Sequence, residues 1–158
     1  MKAKIRLHVE YENLKESFEG DVDEVLKALI QFLYRVHPYV EAVSKLIWTP
    51  DLRQLMEKIP EYCKLTPEGD FILVKSPPSS EQSILLILAL AYLSHKLGKR
   101  SDEFVASQEI SKTINKAEKT VRNILTELTK VNAVERVDKG RYKITSYGLR
   151  KVEEIMAE

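Results

Sequence analysis

Several things are scarce in this chain. It has one cysteine, Cys63, in 158 residues, so no intramolecular disulfide can form. A lone thiol suits a reducing cytosol, and a cytoplasmic protein is expected. There are five glycines and no Gly-rich phosphate loop, which leaves little from which to build a nucleotide cradle. No G-x-S-x-G and no H-E-x-x-H occurs. His8, His37 and His95 lie far apart and lack metal-ligand spacing. The expectation is therefore a non-enzyme with no metal and no cofactor. Long hydrophobic runs are also missing. The longest is Ile84 to Leu93, ten residues, where a membrane span needs about 20. Met1 to Glu10 alternates charged and apolar residues, unlike a signal peptide. A protein without a membrane segment is expected.

What is present describes a folded chain. Apolar residues make up 44% and charged residues 31%, a balance outside the disordered class. Net charge is +1 but unevenly spread. Residues 1–78 carry 11 Lys/Arg against 13 Asp/Glu, and residues 79–158 carry 14 against 11. Within 112–151 the count is 11 against 4. A basic block inside a near-neutral chain is the footprint of a polyanion partner, although a solvated charged surface has the same composition.

Residues 3–10 alternate, with Ile5, Leu7 and Val9 on one face, and read as a strand with Leu14–Phe18 as hairpin partner. "GDVDEVLKALIQFLYRVHP" reads as a helix capped by Asp21 or Asp23 and ended or bent at Pro38. Helical pieces are expected at about 39–47 and 51–58, and a short strand at 71–75. Trp48, Tyr34, Tyr39 and Phe32 suggest a small aromatic core for this first part. "SPPSS", 76–80, is the linker candidate, so one domain is placed at 1–76 and a second at 77–158. The expected class is α+β, a small N-terminal α+β domain followed by a C-terminal one.

The second half carries most of the signal. A helix is expected at 80–97, a short strand at "EFVAS", a short helix capped by Ser107, a joint at Asn115-Lys116, and a helix from Ala117 to about Val131. Val121, Ile124, Leu125 and Leu128 fall on one face of that helix. Lys119, Arg122, Asn123 and Thr126 form a polar strip on another, with Thr120 beside it. "AVERVDKGRYKITS" reads as a hairpin turning at Asp138-Lys139-Gly140. Arg136, Lys139, Arg141 and Lys143 put four cations into eight residues. A last helix, 147–157, is capped by Thr145 or Ser146.

The order helix, strand, helix, turn, helix, hairpin, helix over 80–156, with "SQEISKTINKAEKTVRNILTELTKVNAVERVDKGRYKITSYG", resembles the winged helix-turn-helix domain of archaeal-type transcriptional regulators. The N-terminal half resembles no family. The resemblance implies a DNA-binding regulator with double-stranded DNA as partner. Helix 117–131 would enter the major groove, where Arg122 suits guanine and Asn123 adenine. Ser107, Lys112, Lys116, Lys119, Thr120 and Thr126 would lie near the duplex, with the 136–143 hairpin as a basic wing. A homodimer is also expected, through the apolar 84–93 helix or the last helix. Whether a small-molecule effector binds is left open. The other reading is a winged-helix adaptor in a replication, transcription or division complex, holding a protein through helix 84–93 or the hairpin.

Overall fold

Alternation at the N-terminus produces a hairpin. In the computed structural model, which describes residues 3–158, β1 (Ile5–Tyr11) pairs antiparallel with β2 (Leu14–Gly20), from Ile5↔Gly20 to Tyr11↔Leu14. Leu7 and Phe18 are opposite each other and half-buried. Helix α1 (Val22–Val36) packs on this face through Val25 and Phe32, and the Phe18 and Phe32 rings meet edge to face at 6.2 Å. Its start is a capping box: the Glu24 amide donates to Asp21 Oδ1 at 2.9 Å and the Asp21 amide to Glu24 Oε2 at 3.0 Å. Pro38 ends α1 and opens α2 (Pro38–Leu46), because proline fits the first turn of a helix but not its interior. None of the residues of α2 is buried.

The expected aromatic core does not form. Phe32 is buried, but Tyr39 is 83% exposed and Trp48 is exposed as well. Tyr39 lies on α2, whose apolar side has no cover within its own unit.

The chain divides into Met1–Trp48 and Thr49–Glu158, not at the expected 76/77. The second unit opens with α3 (Leu52–Lys58), capped by Asp51, then a single 3₁₀ turn at Ile59–Glu61. A short hairpin follows, β3 (Cys63–Leu65) with β4 (Phe71–Leu73). Next come α4 (Ser80–Lys96), β5 (Val105–Ala106), α5 (Ser107–Ile114), α6 (Glu118–Lys130), β6 (Val134–Asp138), β7 (Arg141–Ile144) and α7 (Ser146–Ala157). The last three strands form a sheet of order β5-β7-β6.

Helix α4 is the axis of this unit, and Ile84 to Leu88 are each at most 1% exposed. The winged-helix elements alone do not surround it. Leu55, Ile59, Cys63 and Phe71 join the same cluster and cover the remainder, which is why 49–76 belongs with the second unit. "SPPSS" is a bend on the way into α4: Ser79 Oγ accepts from the Gln82 amide at 3.2 Å. Cys63 is buried, donates from Sγ to the Leu86 carbonyl, and burial pushes its pKa up to about 12. It is a packing residue.

The 84–93 run is buried within its own unit, with Leu90 and Leu93 lining a recess beside Met56, Pro60 and Leu65, so it does not present the free apolar seam expected of it for a dimer partner or an adaptor's client; the hairpin expected as the adaptor's other contact is unaffected. Helix α7 likewise turns Leu149, Val152 and Met156 into the same core. Its first turn comes very close to the sheet. A Cβ on Gly148 would stand 2.1 Å from the Ala133 carbonyl oxygen and 2.6 Å from Ile144 Cγ1. Among the described residues, no helix is long and apolar enough to cross a membrane.

Candidate nucleic-acid interface

Two helices and a hairpin build the candidate surface. Helix α5 ends at Asn115, which takes the left-handed conformation (φ 54°, ψ 50°), tolerated by asparagine more readily than by most residues. The Ser111 carbonyl accepts both the Asn115 amide and the Lys116 amide, and Ser111 Oγ donates to the Lys116 carbonyl at 2.6 Å. These bonds fix the tight joint and start α6 at Glu118.

Helix α6 buries Val121, Leu125 and Leu128, with Ile124 half-buried. Lys119, Thr120, Arg122, Asn123 and Thr126 are exposed, as their spacing predicts. Two of them are engaged locally. Arg122 Nη2 pairs with Glu118 one turn earlier, and Thr126 Oγ1 donates to the Arg122 carbonyl at 2.8 Å. Exposed pairs at this spacing are worth only about 0.3–0.5 kcal/mol, so Arg122 is readily released to another anion.

The wing turns at Lys139-Gly140. Gly140 has φ +77°, a conformation that glycine adopts without steric cost. Register slips by one residue between Arg136 and Asp138, leaving Val137 unpaired in a bulge. The tip is tied down, because the Ser107 amide donates to the Gly140 carbonyl at 2.8 Å and Ala106 pairs with Arg141.

The wing's four cations are not equivalent. Arg141 is held by Asp138 and stacks its guanidinium 5.4 Å from the centre of the Phe104 ring. The hydrogen bond from Arg141 holds the Asp138 carboxyl below its ordinary range and lifts the guanidinium above its own. Lys143 Nζ lies 3.7 Å from both Glu103 and Glu135. Arg136 donates only to the Asp138 backbone carbonyl, and Lys139 has no ion pair among the described residues. The basic wing expected from the cation count is therefore half neutralised internally.

Between α6 and the wing lies a cleft of about 420 Å³ lined by Arg122, Thr126, Arg136, Lys139, Gly140 and Tyr142. The fold thus brings together four sequence-predicted residues, Arg122 and Thr126 from α6 and Arg136 and Lys139 from the wing. Lys116 and Lys119 are exposed around the start of α6, with no ion pair among the described residues. Lys112 is exposed but lines a different recess, with Asp70 and Glu109. Ser107 neither caps α5 nor faces solvent. It is the first residue of α5, the cap being Ala106, and it is 1% exposed. Its hydroxyl points towards Glu118 at 3.5 Å, so it props the wing and α6 and does not meet solvent. Tyr142 also lines the cleft, and its place in an alternating hairpin gives it no separate signal in the sequence.

Three helices, a tight left-handed joint and a three-stranded sheet ending in a hairpin define a winged helix-turn-helix domain. Residues 81–155 match the family model described as winged helix-turn-helix transcription repressor, HrcA DNA-binding. The match runs from α4 into α7, just under half of the chain, and supports DNA-binding transcriptional regulation by that domain. No curated protein and no solved structure matches the chain.

Proposed function

We propose that this chain is a DNA-binding transcriptional regulator that reads duplex DNA with α6 in the major groove and uses the β6–β7 hairpin as its wing. The observation that carries this reading is the cleft where Arg122, Arg136 and Lys139 converge between the two elements. A helix of about 10 Å diameter fits a major groove about 12 Å wide. With α6 seated there, Arg122 and Asn123 face base edges. Lys116, Lys119, Arg136 and Lys139 meet phosphates, which orient the domain without carrying sequence information. Arg122 leaves Glu118 to do so, an exchange that a weak exposed pair permits.

The test is fluorescence anisotropy of labelled duplex DNA from about 50 to 300 mM salt. Strong binding that falls steeply with salt is expected, with a slope of about −0.9 per phosphate neutralised. Arg122→Glu should abolish preference for a selected site, while Lys139→Ala should weaken all sequences alike. No binding of any duplex at the lowest salt would sink the proposal.

A further inference from the structure

We propose that a recess at the C-terminal end of α4 binds an uncharged, mainly apolar small molecule through one carbonyl or hydroxyl group, which the Ser94 side chain holds. The recess lies wholly within Thr49–Glu158 and has a volume of about 740 Å³. Sites for small organic ligands run from ~300 to ~1,000 Å³ and are mostly apolar, with a few placed polar groups. Here Leu90, Leu93 and Leu97 come from α4 and its cap, and Met56, Pro60 and Leu65 from the segment before it. Leu90 is 7% and Leu93 4% exposed, so what remains of their surface is offered to a molecule small enough to enter, not to a broad protein face.

Ser94 is the placed polar group. The buried polar side chains among the described residues are Ser83, Ser94 and Ser107. Ser83 Oγ donates to the Ser79 carbonyl at 3.3 Å, and Ser107 Oγ to Glu118 at 3.5 Å. Ser94 is 5% exposed and lines the recess, and its hydroxyl has no hydrogen-bond partner among the described residues. Buried hydroxyls are normally bonded. A ligand oxygen seated in the recess supplies the partner that the fold does not.

Another part of the lining is preset. The Thr66 amide donates to the Asp70 carbonyl at 2.8 Å, the Gly69 amide to the Thr66 carbonyl at 2.9 Å, and the Asp70 amide to Thr66 Oγ1 at 3.0 Å. These bonds hold the turn at 66–69 without a ligand, so little ordering is left to oppose binding. Charge selects the class of molecule. Glu68 and Lys99 both line the recess, and neither is in an ion pair among the described residues. An anion would meet Glu68 and the negative end of the α4 dipole, and a cation would meet Lys99. An uncharged molecule meets neither penalty.

The test uses the full chain and no DNA, so it stands or falls apart from the reading of α6. Nile red is an uncharged dye with one carbonyl, and it brightens in apolar surroundings. Its titration should saturate at one dye per chain. The Met56→Glu and Leu97→Glu double variant changes two exposed lining positions, so it should keep the wild-type circular dichroism signal and bind the dye at least tenfold more weakly. Leu46→Glu, on the exposed side of α2, should bind it as wild type does. The neutral 2-octanone should displace the dye at lower concentration than octanoate does. Ser94→Ala should weaken 2-octanone by about two- to tenfold, the worth of one hydrogen bond, and leave p-xylene, which has no hydrogen-bonding group, unchanged. No saturable dye binding overturns the proposal, and so does binding that survives the double variant or is lost in Leu46→Glu. Displacement by octanoate at equal or lower concentration overturns the uncharged class. Equal weakening of 2-octanone and p-xylene would make Ser94 a packing residue and overturn its role.

Discussion

Single side chains set how much of the wing's charge is available. Asp138 ties up Arg141 and adds a negative charge near the tip. Asp138→Asn should therefore tighten binding of every duplex and steepen the salt slope by up to about 0.9, the value of one added phosphate contact. Binding unchanged across the salt series would show that Arg141 stays on Phe104 whether or not Asp138 is charged. Cys63 gives a prediction in pH. Its folded pKa is raised to about 12 from 9.0. The neutral thiol thus contributes stability that is fully present below pH 9 and is lost as pH rises from there towards 12. Native protein should resist thiol reagents at pH 8, and Cys63→Ala should lose less stability than wild type between pH 9 and 11, as read by denaturant midpoints. At this scale the sequence was half legible. The exposed strip of Lys119, Arg122, Asn123 and Thr126 follows from helical spacing. The partners of Arg141 and Lys143 come from Asp138, Glu103 and Glu135, and counting cations does not reveal them.

Elements are placed by caps and close approaches. The sequence narrows two caps to adjacent candidates, Asp21 or Asp23 for α1 and Thr145 or Ser146 for α7, because a short acceptor ahead of an apolar stripe has few other uses, and the structure selects Asp21 and Thr145. Ser107 looked the same and was not a cap, since strand pairing of Ala106 with Arg141 sets where α5 starts. Gly148 is a different case. Its missing side chain lets α7 approach the start of β6. Gly148→Ala should force α7 outward and cost about 1–3 kcal/mol, seen as a lowered melting temperature. An unchanged melting temperature would mean that α7 shifts freely, which its buried Leu149 and Val152 argue against.

On the scale of the whole molecule, the division at Trp48/Thr49 makes a prediction that the sequence boundary does not. A fragment of residues 49–158 should fold cooperatively and bind a single-site duplex. A fragment of residues 77–158 should not, because it strips Leu55, Ile59, Cys63 and Phe71 from α4, and burial of Leu55, Ile59 and Phe71 is worth about 1.5–3 kcal/mol each. Equal melting of the two fragments would refute this. Two prolines in "SPPSS" mark a local change of direction and say nothing about where contacts stop. The better signal was "ILLILALAYL" itself. A helix apolar on every side needs more cover than α5, α6, α7 and a wing supply, and the preceding segment was the available source. The bond from the Ser107 amide to the Gly140 carbonyl has a last consequence. It latches the wing to the start of α5, so wing and helix pair present one preset outline. Capture of a duplex then needs no ordering step. Its rate should be governed by long-range attraction and fall as salt rises, and the heat-capacity change should match rigid docking, without the larger value that accompanies folding on contact.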